Sequence, residues 1–264
     1  MSVSYLDKHK FLWLIILPLW TYGAFMLAQL LVGLLQQLLL IIGVPLGSIN
    51  PATYATVAAA VAYVVALVIV IGVPLIVWKR KTTINELGAH DWPSWMDVAL
   101  SVPAFVVYII CSGLVMAILT SILPGIDLQQ AQELPFSQSM LGTSWQYVLA
   151  FITMVVLAPL AEELLFRGYL YGKLRKTASV WVSILVASLA FGLAHLWVGS
   201  STLQWAVTID TFVLSLMLCA LREYTGAVWA GVLLHAIKNG LAFYLLFINP
   251  SVVDQIQQAA NLLW

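Results

Sequence analysis

Apolar positions in this chain gather into long runs separated by short polar connections, and they do not alternate. Seven runs stand out, at about Phe11–Val44, Ala52–Trp78, Asp97–Leu123, Ser144 to the basic stretch 167–176, Ala178–Val198, Thr202–Leu221 and Tyr224–Ile248. At about 1.5 Å per residue, roughly 20 apolar residues cross a bilayer core as a helix. The pattern therefore predicts an all-α fold, a polytopic transmembrane helical bundle of about seven (seven or eight) transmembrane helices. Short alternating strands, the signature of a membrane barrel, are missing from it. The first run exceeds one crossing, so a tilted helix, an added turn near Gln36-Gln37 or two helices would absorb the excess. It is also too long for the apolar core of a cleaved signal peptide and is expected to be retained. The segment Thr82–Trp95 reads as a surface stretch with Trp92 and Trp95 as headgroup-level anchors. The tail Pro250–Trp264 has an apolar face suited to the interface. With no internal repeat, residues 1–264 read as a single integral membrane domain.

Composition agrees with the pattern. The chain is 62% hydrophobic and 8% charged, against about 25% charged in soluble domains. Its formal net charge of zero argues against nucleic acid as a partner. Cys111 and Cys219 fall inside apolar runs without metal-ligand spacing and read as small hydrophobes. Lys and Arg are distributed unevenly. Alternating seven crossings places the amino terminus, Lys79–Lys81, Lys173–Lys176 and Arg222 on one side, while the opposite connections carry neither residue. Basic connections mark the cytoplasmic side, so the N-terminus is expected to be cytoplasmic in a multi-pass integral membrane protein.

Chemistry concentrates in three stretches. Pro159-Leu-Ala-Glu162-Glu163-Leu-Leu-Phe-Arg167-Gly168 sets two acids and an arginine at the end of an apolar run. A charge at mid-helix costs about 2.5–3.5 kcal/mol on insertion scales, so such residues normally face a partner or a wet cavity. Phe191-Gly-Leu-Ala-His195 and His235-Ala-Ile-Lys-Asn239 in later runs supply partners. With a turn centred near Ala178-Ser179, Glu162 and His195 each lie roughly 16 residues, or about 25 Å, from it and share one depth. His235 and Asn239 are one helical turn apart on one face. Glu163 and Arg167 have the favourable i,i+4 spacing for an ion pair, which leaves Glu162 to face His195. Pro159 withholds a backbone donor one turn before the acids and is expected to open the helix. Each feature has a plainer reading. Glu163–Arg167 reads as a structural pair at the membrane boundary, His195 as a satisfied core histidine and His235–Asn239 as an interhelical bridge. Phe191 reads as packing, and Asp210 as a helix-bundling or accessory acid. The coincidence of the three stretches favours one buried site.

Glu162-Glu163-x-x-x-Arg167, Phe191-x-x-x-His195 and His235-x-x-x-Asn239, in this order on successive apolar segments, resemble the CAAX protease and bacteriocin-processing (CPBP) family. That family includes type II CAAX prenyl endopeptidases and Abi-type proteins. The likeness extends to Ala158-Pro159, Phe166-Arg167-Gly168 and Phe191-Gly-Leu-Ala-His195, and covers about residues 145–245 as a catalytic core. It implies an intramembrane endopeptidase in which Glu162 and His195 activate water, His235 and Asn239 stabilise the oxyanion, and Glu163 and Arg167 support the site. The implied partners are the bilayer and a peptide or lipidated, CAAX-type protein substrate. Neither Ser nor Cys is evidently paired with a histidine, which favours attack by water over a covalent intermediate. The family has often been described as metalloproteases, with Glu162, His195 and His235 as acceptable zinc ligands. Glu162 as a ligand would be lost as the base, so no cofactor is expected and zinc is the alternative. Two rival functions remain: a non-catalytic membrane scaffold or bacteriocin-immunity-type protein, and a proton-coupled transporter using Glu162, His195 and Asp210. Paired broken helices in related halves, which would favour a transporter, are not evident.

Overall fold

The computed structural model describes residues 10–123, 134–197 and 202–252. Within these the protein is helical: α1 (Lys10–Ile41), α2 (Pro51–Trp78), a one-turn α3 (Ile84–Leu87), α4 (Trp95–Ile122), α5 (Ser144–Leu174), α6 (Val180–Leu193), α7 (Trp205–Thr225) and α8 (Trp229–Ile248). All but α3 and α6 are long and apolar enough to cross a membrane. Local chemistry sets the ends. Asn50 accepts from the Ala52 and Thr53 amides ahead of Pro51 at the first position of α2, satisfying donors that a helix start leaves open. Ser94 and Asp97 form a capping box on α4, and α7 stops at Gly226, where φ of 71° is accessible to glycine at little cost.

The structure takes one of the alternatives left open for the first run and departs from expectation in the fifth. The first apolar run is one unbroken helix through Gln36-Gln37, and the chain turns only after Ile41. The fifth run ends early. Helix α6 has 14 residues, and its rise of about 21 Å falls short of a roughly 30 Å hydrocarbon core. It passes into a turn over residues 194–197, and Gly192 just before it packs so closely on α7 that a Cβ would come within 2.8 Å of the Thr208 carbonyl oxygen. The expected interfacial tail lies outside the described residues beyond Val252, as do Asp127 and Glu133.

Helix α5 is central, while Leu, Ile and Val side chains of α1, α2 and α4 point outward in large numbers. In lipid those side chains gain nothing by burial, so helix contacts rely on small residues and polar links. Leu17, Thr21, Ala24, Ala28 and Val32 make a buried stripe on α1, and Ala62, Ala66 and Val70 one on α2. Thr153 of α5 donates to Thr56 of α2 at 3.0 Å. At the opposite end of the bundle α3 lies on α5. The Leu87 and Glu86 carbonyls come so close to Gly168 and Gly172 that a Cβ there would meet them at 3.0 and 3.2 Å. Lys173 and Lys176 pair with Glu86, and Arg175 with Glu223. The basic residues after α2, after α5 and at the end of α7 thus share one end of the molecule.

Candidate active site

Helix α5 runs unbroken past Pro159, but it carries two π-helical stretches, Ile152–Leu157 and Leu164–Tyr171, with the acids on the α-helical turn between them. Such widened turns occur preferentially at functional sites. The first leaves one carbonyl without its helical donor. In π geometry the Met154 carbonyl would receive from the amide five residues on, and that residue is Pro159, which has none. Asn239 of α8 donates its side-chain amide to Met154 O at 2.9 Å instead. The expected opening of the helix is therefore closed by a side chain from another helix. Asn239 keeps a second amide hydrogen beyond this bond.

Glu163 and Arg167 are both fully buried, and their i,i+4 contact closes at 2.9 Å. His235, also buried, places Nδ1 3.0 Å from the same Glu163 oxygen, Oε1. A carboxylate oxygen accepts, so Nδ1 carries the hydrogen and Nε2 faces the other way. There it lies 3.9 Å from Glu162 Oε2. Adjacent acids, expected to point to separate surroundings, thus reach opposite edges of a single imidazole. Glycine at position 231 is part of this arrangement, since a Cβ there would sit 3.1 Å from Glu163 Oε2.

Glu162 was expected to face His195. Among the described residues its hydrogen-bond partner is instead Tyr63 of α2, whose hydroxyl donates to Oε1 at 2.8 Å. His195 stands in the bend after α6 and donates Nδ1–H to the Phe191 carbonyl at 2.8 Å, which leaves Nε2 as the acceptor of the neutral ring. Phe191 is the hub. Its ring meets Phe166, His195 and His235 edge-on at centroid distances of 4.9, 4.8 and 5.9 Å, and the Arg167 guanidinium lies 4.2 Å over it. An aromatic face can hold a buried guanidinium where hydrogen-bond acceptors are scarce. The expected role of Phe191 as packing holds, at the centre of the site.

Asp210 lies nearby on α7. Tyr108 and Ser112 of α4 donate to its Oδ1 at 2.7 and 2.6 Å, and Lys238 of α8 lies 3.7 Å from Oδ2. The acid therefore ties three helices together. Glu162, His195 and His235 do not form a metal-sized group of ligands among the described residues.

Residues 144–241 match the family model described as type II CAAX prenyl endopeptidase Rce1-like. This segment is Rce1-like. It contains Glu162, Glu163, Arg167, His195, His235 and Asn239, and agrees with the resemblance drawn from those motifs. The chain is also similar to an uncharacterized 24.3 kDa protein of Escherichia coli, 35% identical over 101 residues. That similarity covers 36% of this chain and 44% of the relative, less than half of either. No solved structure matches the chain. Tyr63, Tyr108 and Ser112 lie outside the Rce1-like segment. Tyr63 had one legible signal: it interrupts the small-residue run Ala58-Ala59-Ala60-Val61-Ala62, and a phenol hydroxyl at mid-membrane needs a partner.

Proposed function

We propose that the protein is an intramembrane endopeptidase that hydrolyses peptide bonds of membrane-associated or lipidated, CAAX-type substrates with a water activated by Glu162 and His195. The observation that carries this reading is the convergence of Glu162 and Glu163 on the two nitrogens of His235 within the Rce1-like segment. Glu162 takes a proton from water while His195 Nε2 accepts the water's second hydrogen bond, and the water oxygen attacks the scissile carbonyl carbon. His235 and the remaining Asn239 hydrogen stabilise the oxyanion. As the C–N bond breaks, Glu162 returns the proton to the leaving amine. Glu163 and Arg167 hold His235 in place and touch no reacting atom. The Lys79–Lys81 connection faces the cytoplasm in this reading.

The proposed steps use these side chains alone. The test is cleavage of a prenylated CAAX-type peptide by purified protein in lipid nanodiscs, with Glu162→Gln as the control. Activity is expected to fall by about 10²–10⁴-fold in the variant at unchanged protein level. Metal analysis accompanies it. Stoichiometric zinc, with activity lost on stripping and restored by zinc alone, would overturn the metal-free mechanism. Absence of cleavage across lipidated and unlipidated peptides would favour the scaffold reading.

A further inference from the structure

Lys238 stands in the middle of α8, between His235 and Asn239, where an ammonium is costly unless it serves a partner. Its carboxylate neighbour does not require it. Asp210 already receives two short hydrogen bonds from Tyr108 and Ser112 on Oδ1, while Lys238 sits 3.7 Å from Oδ2, beyond ordinary hydrogen-bond length. The Lys238 side chain is only 15% exposed, and its ammonium has three donors. Its position is coupled to the site in two ways. His235 and Lys238 are i,i+3 neighbours on α8, with Cβ atoms about 5–6 Å apart. Across from it, Leu196 O accepts from Gln204 N at 2.9 Å and Gly192 abuts Thr208. These contacts hold the His195 bend against the first turns of α7, the helix that carries Asp210.

We infer that Lys238, poised by Asp210, binds the free α-carboxylate at the substrate's C-terminus. The inference rests on the endopeptidase reading and names what that site recognises. A CAAX-type motif ends the chain, so its α-carboxylate lies only a few residues from the bond that is cut. Three extended residues span about 10 Å, which a lysine one turn along from His235 can meet. A carboxylate entering an apolar bundle needs a cation, and Lys238 supplies one without disturbing Asp210, whose charge Tyr108 and Ser112 continue to stabilise. A chain that continued past this point would carry no charge there to offset the lysine. Lys238 would thereby distinguish a terminus from an internal segment.

The experiment uses full-length protein in lipid nanodiscs and two prenylated peptides identical except for a C-terminal carboxylate or a C-terminal amide. The wild type is expected to cleave the acid about 10- to 100-fold better in kcat/KM, the range of a charge-assisted hydrogen bond. Lys238→Gln should bring the acid down to the level of the amide, and Lys238→Arg should retain the preference. A lysine that only supports the fold would change both peptides alike. Equal cleavage of acid and amide by the wild type overturns the inference without recourse to any variant, as does an undiminished preference in a folded Lys238→Gln protein. If neither peptide is cleaved, the endopeptidase reading fails and this one fails with it.

Discussion

Tyr63 Oη donates a 2.8 Å hydrogen bond to Glu162 Oε1, joining α2 to the acid that α5 presents to His235. Tyr63 is itself fixed by stacking on Phe25 of α1, with ring centroids 5.8 Å apart. The N-terminal pair of helices, outside the Rce1-like segment, therefore orients the proposed base. Tyr63→Phe keeps the ring and its stacking and removes only the donor. It is expected to lower kcat by about tenfold, with KM little changed and a stability loss of about 1 kcal/mol. Kinetics on lipidated peptide would check this; unchanged kcat would show that the tyrosine leaves the carboxylate's geometry unaffected.

The two acids should separate cleanly on replacement. Glu163 bonds Arg167 and His235 at full burial, so Glu163→Gln strands a guanidinium without its counter-charge. Removing one partner of a buried pair costs about 3–5 kcal/mol, and expression or thermal stability should drop accordingly. Glu162, with a side chain 15% exposed and Tyr63 as its hydrogen-bond partner, should tolerate Gln with little loss of stability. Melting curves of both variants decide the matter, and a Glu163→Gln protein as stable as the wild type would reverse the roles of the two residues.

The contact between α3 and α5 should weaken in acid. Burial works to raise the Glu86 carboxyl, but the hydrogen bonds and charges of Lys176 and Lys173 outweigh it and hold it at about 2. The folded value lies below the ordinary glutamate value of about 4.3. The stabilisation is thus fully present above that ordinary value and is lost as pH falls from there toward 2. Glu86→Gln is expected to flatten this acid limb of the melting temperature. An unaltered limb would place the acid sensitivity elsewhere.

Sidedness follows from the shared basic end of the bundle. Lys81→Cys, at the end with Glu86 and Lys173, is expected to react with an impermeant maleimide only from the cytoplasmic side. Ser139→Cys, on the connection before α5, should react only from the other. The converse pattern would move the entrance of the site across the membrane.

Much of this protein was legible in one dimension. Long apolar runs demand helices in lipid because a buried backbone must satisfy itself within each segment, and the i,i+4 pairing of Glu163 with Arg167 is a local consequence of helical pitch. Motif order likewise marked about residues 145–245 as one functional unit. Which side chains meet was another matter. The partner of Glu162 is Tyr63, 99 residues away, because α2 packs on α5 through small residues and threonines that carry no positional label in the sequence. Helix α6 ends at Leu193 with Gly192 packed on α7, and this sets His195 in a turn that apolar length could not reveal. Asn239 reaches Met154 only because Pro159 withdraws a donor from a neighbouring helix. Periodicity and charge determined the elements and the candidate residues. Tertiary packing decided their partners, since contact between helices depends on rotations and depths that no single segment encodes.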